Sequence, residues 1–456
     1  MSSHSHDSVC VIGAGSSGIV AVKCLAELGL PVTCYELGSG IGGNWRYGND
    51  NGMSSAYRSL HINTSKTRMA FSDFPMPEDY PDYPHHSQIL RYFEAYADRF
   101  DLRRHIRFRT AVERLEPAGD GSWWVTLEGG ERRRHRAVLV ANGHHWCPRR
   151  PTAPGDFAGL AMHSHDYRTP DVLVDKRVLV VGIGNSGVDI ACESARHAAA
   201  TFLSTRRSAH ILPKYAFGRP IDTFTTPLSS RLPLALQRRI FELILKLSRG
   251  PQTTFGVPRP QHHLLQAHPT VSAELLNLVG HGRIAIKPDV ERLCGERVRF
   301  ADGSEEAIDV IVWAIGYRIR FPFLDRRILD PEGNAVRLYL HVVPPAHPGL
   351  YFIGLIQPLG AVMPLAEEQS RWVAELLAGR CALPERAAME RRIDADLEAM
   401  RRRYVHSERH TIQVDFFPYR HALRSERRRG RRRAQRRRPA APAPVPSPEE
   451  ATRAAG

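Results

Sequence analysis

Residues 179–191 read "LVVGIGNSGVDIA", an apolar run that breaks on three glycines at G-x-G-x-x-G spacing and resumes with a helical apolar period. Residues 11–22, "VIGAGSSGIVAV", do the same. In such a strand–turn–helix unit the first glycine permits the bend, the second lets the backbone approach a pyrophosphate, and the third lets helix and strand pack closely. The phosphates then rest on unpaired N–H groups at the positive end of the helix. Gly13, Gly15 and Gly18 fill these places once, with Ser16 and Ser17 between them; Gly182, Gly184 and Gly187 fill them again, with Asn185 and Ser186. The duplication predicts two dinucleotide sites in one chain.

The residues downstream distinguish the two. The twenty-third residue after Gly13 is Glu36, at the end of "PVTCYE", where a carboxylate accepts hydrogen bonds from an adenosine ribose. The same count from Gly182 reaches Thr205, followed by Arg206 and Arg207. A carboxylate repels a 2′-phosphate, whereas a guanidinium binds it with charge-assisted hydrogen bonds. The first cradle suits FAD and the second NADPH, so hydride is expected to pass from nicotinamide to flavin.

The rest of the chain fits an α/β protein with two Rossmann-like dinucleotide-binding domains. Its 456 residues exceed what one core supports, and runs such as "AVLVANG" (137–143), "DVIVWAIG" (309–316) and "GLYFIG" (349–354) are apolar throughout, as strands buried on both faces are. Helical periods alternate with them; in "SQILRYFEAYADRF", Ile89, Tyr92, Phe93 and Tyr96 share a face behind a Ser87 cap. The expected plan is a discontinuous FAD domain, residues 1–167 and 305–423, with an NADPH domain, residues 168–304, inserted into it. Residues 208–280 are less legible and are expected to shape a substrate entrance or an oligomer contact.

The formal net charge of +15 is concentrated near the end, where residues 424–438 carry ten arginines and one glutamate. Residues 424–456 are expected to form a disordered Arg/Pro-rich tail, solvated or binding a polyanion. Seven scattered cysteines without a C-x-x-C argue against a disulfide framework, a thiolate zinc site and a disulfide reductase. The start has no signal-peptide pattern and no long apolar run follows, so a cytoplasmic location without a transmembrane anchor is expected. The pairs His85/His86, His144/His145 and His262/His263 have no companion ligands at metal spacing, and no metal is expected.

"FAGLAMHSHDY" places Phe157, Gly159, His163 and Tyr167 at F-x-G-x-x-x-H-x-x-x-Y spacing. This resembles the fingerprint of the flavin-containing monooxygenases, and "GGNWRY" (42–47), "SLHINTSKTRMAFSDFP" (59–75), "WAIGY" (313–317) and "IGLIQPLG" (353–360) extend the resemblance from about Val9 to Tyr419. It implies FAD and NADPH as cofactors, and a flavin C4a-hydroperoxide that gives one oxygen to a nucleophilic nitrogen or sulfur of a small molecule. It implies that Asn63 is the catalytic amide, that Asn44, Trp45, Ile62 and Gly143 contact the flavin, and that His163 couples nicotinamide binding to domain orientation. Thr67 and Ile315 depart from the family pattern. Baeyer–Villiger oxidation of ketones is the alternative on the same scaffold; a flavoprotein tethered by its basic tail to nucleic acid or an anionic surface is a second. A homodimer is the assembly considered.

Overall fold

The computed structural model describes residues 7–405, 407–408 and 411–437. Its helices are α1 (Ser16–Glu27), α2 (Lys66–Met69), α3 (His86–Arg99), α4 (Asn185–His197), α5 (Leu234–Arg249), α6 (Leu275–Gly280), α7 (Met363–Leu377), α8 (Arg386–Arg403) and α9 (Phe416–Arg437). The helix expected behind a Ser87 cap starts two residues earlier, because His85 caps α3 by accepting from Ser87 N–H in a capping box with Gln88.

Two five-stranded sheets organise the chain. The first has the spatial order Leu350–Phe352, Ala137–Val140, Val9–Ile12, Val32–Tyr35, Ile106–Arg107; the second has Ala285–Lys287, Ala200–Ser204, Arg177–Val181, Val310–Trp313, Leu160–His163. Every pairing in both is parallel. The strand before each glycine turn is central and buried on both faces. Val9 and Val11 enter one core while Cys10 and Ile12 enter another; Val178 and Val180 likewise separate from Leu179 and Val181. This is why both strands lack polar alternation.

The sheets correct the expected boundaries at 167/168 and 304/305. Gly155–Phe157 pairs with Leu293–Gly295, Leu160–His163 pairs with Val310–Trp313, and Glu305–Ala307 pairs with Arg297–Arg299. The second lobe therefore begins by residue 155 and continues beyond residue 313.

The tail is also corrected. Residues 424–437 belong to α9, and residues 438–456 lie outside the described residues. The arginines find their counterions far away in sequence: Arg424 and Arg427 pair with Glu368, Arg427 and Arg431 with Glu375, both on α7, while Arg433 pairs with Glu426. Gly430 lies so close to α7's following loop that a Cβ there would meet Cys381 Sγ at 2.1 Å. A chain ending at Leu423 would leave Glu368 and Glu375, 6% and 9% exposed, without these cations. Uncompensated buried charge costs about 3–5 kcal/mol, so calorimetry should show unfolding about 5 °C lower.

Burial also sets an acid limit. His135 bonds to Ser8 and Tyr35 in the first lobe, and desolvation lowers its pKa to about 4. His341 and His86 are lowered to about 4 by the same cause. These folded values lie below the unfolded value of about 6.5, so the stability they carry is full above pH 6.5 and is lost as pH falls toward 4. The unfolding temperature should be level above pH 7 and fall through that window; replacing His135 with Gln should shallow the slope.

Candidate functional site

The two glycine turns are built alike. Gly13 N–H donates to Tyr35 O and Gly182 N–H to Ser204 O, each at 2.9 Å. Gly13 and Gly182 have φ of +97° and +114°, and a Cβ on either would lie 2.8 Å from Ala141 O or 2.4 Å from Ala314 O. On the other side, Ala141 N–H bonds Ile12 O and Ala314 N–H bonds Val181 O, each at 2.9 Å. Ala141-Asn142-Gly143 and Ala314-Ile315-Gly316 are thus the same closing turn made twice, with Gly143 and Gly316 both at positive φ.

Beyond each turn a helix presents a bare N-terminus. Gly15 and Gly184 are the N-cap residues of α1 and α4; neither is capped by a side chain, and neither first turn holds an acid. The N–H groups of Ser16, Ser17 and Gly18, and of Asn185, Ser186 and Gly187, are left to a phosphate ligand. At the first cradle Gly42 N–H bonds Ala14 O at 3.0 Å, bringing the 3₁₀ turn Gly43–Trp45 against Gly15. Asn44 Oδ1 accepts from Ser55 N and Ser55 Oγ at 2.9 and 2.8 Å, so that side chain braces the loop. Asn185 has a comparable local task, accepting from Val271 N–H at 2.8 Å.

Glu36 and Thr205 follow equivalent strand ends and meet different surroundings. Glu36 is buried; its Oε2 accepts from Ala14 N–H at 2.6 Å, and its Oε1 from Gly38 N–H at 2.7 Å and Asn51 Nδ2 at 3.1 Å. The carboxylate is therefore locked beside the first turn. Thr205 accepts from Ser208 N–H at 3.0 Å, bending the chain so that Arg206 and Arg207 are exposed. No carboxylate pairs with either guanidinium among the described residues. These surroundings fit an adenosine ribose at the first cradle and a ribose phosphate at the second.

The fingerprint joins the lobes. Gly159 packs under the Phe157 ring, where a Cβ would lie 2.4 Å from Asp309 O. Tyr167 is buried and donates to Glu193 on α4 at 2.6 Å. His163 Nδ1 accepts from His165 N–H at 3.0 Å, which leaves the ring proton on Nε2, a buried atom. Burial lowers the His163 pKa and keeps the ring neutral. His163, His165 and His145 surround Tyr317 with ring centres 5.3, 6.0 and 5.5 Å away. Tyr57 crosses from the first lobe to donate to Asp189 on α4 at 2.6 Å, and burial pushes the Asp189 carboxyl up to about 6.

Asn63 is half-buried, and its side-chain amide has no protein partner among the described residues. Ile62 before it is buried, with its N–H on Pro84 O at 3.1 Å. The structure thus gathers Glu36 with the first glycine turn and Thr205 with the second, each beside its closing turn, while no hydrogen bond among the described residues ties the Asn63 side chain to either cradle. Sequence reasoning missed the support behind the first cradle. Gly354 has φ +75°, and a Cβ there would lie 2.1 Å from Ser17 Oγ. Gln369 Oε1 holds Gly354 N–H at 2.8 Å and its Nε2 donates to Tyr419 OH at 2.7 Å. The available signal was the glycine of "IGLIQPLG" itself.

Comparisons agree with this arrangement. The family described as flavin-binding monooxygenase-like matches residues 6–426. Flavin-containing monooxygenase 5 of Mus musculus is 42% identical over 433 residues, covering 90% of this chain and 80% of the relative. Dimethylaniline monooxygenase [N-oxide-forming] 2 of Oryctolagus cuniculus is 38% identical over 402 residues, covering 84% and 75%. Among solved structures, S-allyl-L-cysteine S-oxygenase from Allium sativum superposes with a TM-score of 0.70 at 27% identity, covering 94% of this chain and 92% of that one. No helix among the described residues is long and apolar enough to cross a membrane. With two dinucleotide cradles and these relatives, the chain belongs to the flavin-binding monooxygenase family and is an oxidoreductase that uses FAD and NADPH.

Proposed function

We propose that the protein transfers one atom of dioxygen to a nucleophilic nitrogen or sulfur of a small molecule, with NADPH supplying the electrons. For a thioether the balance is sulfide, O₂, NADPH and H⁺ giving sulfoxide, water and NADP⁺. FAD, when bound, would supply the hydride-accepting and oxygen chemistry, while the chain's own residues bind and orient the reactants and exclude water. The observation that carries this reading is the pair of matched cradles with opposite ribose chemistry, Glu36 behind one and Arg206 and Arg207 behind the other.

In this reading Gly13, Gly15, Ser16, Ser17, Gly18, Glu36, Asn44, Trp45 and Gly143 hold FAD. Gly182, Gly184, Asn185, Ser186, Gly187, Thr205, Arg206 and Arg207 hold NADPH. Asn63 is the catalytic amide: it is free of protein partners among the described residues, and it both donates and accepts without titrating. His163 and Tyr317, with ring centres 5.3 Å apart, mark the seam between the lobes, where His163 couples nicotinamide binding to domain orientation. The named activities of the rabbit N-oxide-forming and garlic S-oxygenating relatives favour nitrogen and sulfur over ketones.

The test is a panel of tertiary amines, thioethers and ketones, read by NADPH consumed and product formed. N-oxides and sulfoxides should dominate. Ester formation from ketones without sulfoxidation would overturn the assignment in favour of Baeyer–Villiger chemistry.

A further inference from the structure

The segment after the second glycine unit reaches back to the first lobe. Ile221–Phe224 is a short 3₁₀ turn, and Asp222 on it accepts from the backbone N–H of Ser65 at 2.7 Å, two residues beyond Asn63. Nearby, Arg68 Nη2 donates to Thr225 O at 2.9 Å, Tyr215 OH donates to Asp82 at 3.0 Å, and Tyr83 OH donates to Lys214 O. The turn carrying Asn63 is therefore pinned on one side by its own lobe, through Ile62 to Pro84 O and Lys66 N–H to Asp82 O at 2.7 Å, and on the other by the nicotinamide lobe. Asp222 makes the bond from that lobe nearest to Asn63.

We propose that Asp222 is a positioning residue: by holding Ser65 it sets the orientation of the Asn63 amide, so that the placement of the nicotinamide lobe decides whether dioxygen is used productively. This rests on the reading of Asn63 as the catalytic amide. Two observations give it force. Ser65 is 1% exposed, so removing the carboxylate takes away the protein acceptor of its buried N–H and frees the turn to shift. Only one Asp222 oxygen is engaged, because Oδ1 is buried with no partner among the described residues. The side chain is thus committed to Ser65 rather than to a wider network, and an amide at the same position has no second bond to lose.

Loss of positioning has a balanced chemical consequence. In place of oxygen transfer, NADPH, O₂ and H⁺ give NADP⁺ and H₂O₂, with substrate unchanged. A displacement of the amide of even a fraction of an ångström should shift turnover toward peroxide, since catalytic groups tolerate little misplacement.

The experiment measures peroxide and sulfoxide per NADPH with methyl phenyl sulfide for the FAD-loaded native protein, Asp222→Ala, Asp222→Asn, Asn63→Ala and the double variant Asp222→Ala/Asn63→Ala. Asp222→Ala should raise the peroxide share about threefold or more, with FAD content and the KM for NADPH unchanged. Asp222→Asn should restore most of the coupling, because its amide oxygen still accepts from Ser65 N–H, and a merely structural loss would move FAD content as well. In the double variant Asp222→Ala should add nothing to Asn63→Ala. Native coupling in Asp222→Ala, or additive effects in the double variant, would overturn the proposal while leaving the Asn63 reading intact. Native coupling in Asn63→Ala would instead remove that reading. Should Asp222→Ala lose FAD on purification, Asp222→Glu takes its place: its displaced carboxylate should raise peroxide, and native coupling in it overturns the proposal.

Discussion

Gly187→Ala is expected to purify yellow and yet accept no electrons from NADPH, whereas Gly18→Ala should purify colourless. The cause is the same in both. A Cβ on Gly187 would lie 1.9 Å from Gly182 O and 3.1 Å from the Ala314 methyl, and one on Gly18 would lie 1.8 Å from Gly13 O. Gly182 O and Gly13 O are backbone oxygens in turns already at positive φ, so relief requires the helix to move off its strand. That movement would carry away the N–H groups proposed to hold the phosphates, and affinity for the dinucleotide should drop by about 100-fold or more. The split between the variants is the informative part: visible flavin absorbance reads the first cradle, and anaerobic bleaching by NADPH reads the second. A yellow Gly18→Ala protein that NADPH reduces normally would show that the first turn does not bind FAD.

Removing both guanidiniums, Arg206→Ala with Arg207→Ala, should erase the preference for NADPH over NADH. Both side chains are exposed and have no carboxylate to neutralise them among the described residues, so their charge is available to a 2′-phosphate. Each such contact, discounted for solvent, is worth about 1.4 kcal/mol, or roughly tenfold in KM for NADPH. The KM for NADH, which has no phosphate at that place, should stay within about twofold, and the native preference should weaken as salt is raised. An equal loss with both nucleotides would mean that the arginines support the fold of the turn instead of reading the phosphate.

The parts of the molecule that were legible in its sequence are those whose physics is local. Gly13 and Gly182 are required by a positive φ and a neighbouring carbonyl, and Glu36 and Thr205 by the length of one strand–helix–strand unit. Ile89, Tyr92, Phe93 and Tyr96 follow helical period and are all buried. What departs from the local pattern depends on pairing across long separations. The strand Leu160–His163 joins the second sheet through Val310–Trp313, which no local pattern announces. The arginines of α9 look unfoldable alone because Glu368 and Glu375 stand on another helix. Gln369 and Asp222 gained meaning only once Gly354 and Ser65 were beside them.

Turnover of methyl phenyl sulfide under isotopically labelled dioxygen tests the central claim most directly. The sulfoxide should carry labelled oxygen, in an amount matching the NADPH consumed less the peroxide released. Sulfoxide bearing oxygen from water, or NADPH oxidation that yields peroxide alone with every amine, thioether and ketone offered, would contradict it.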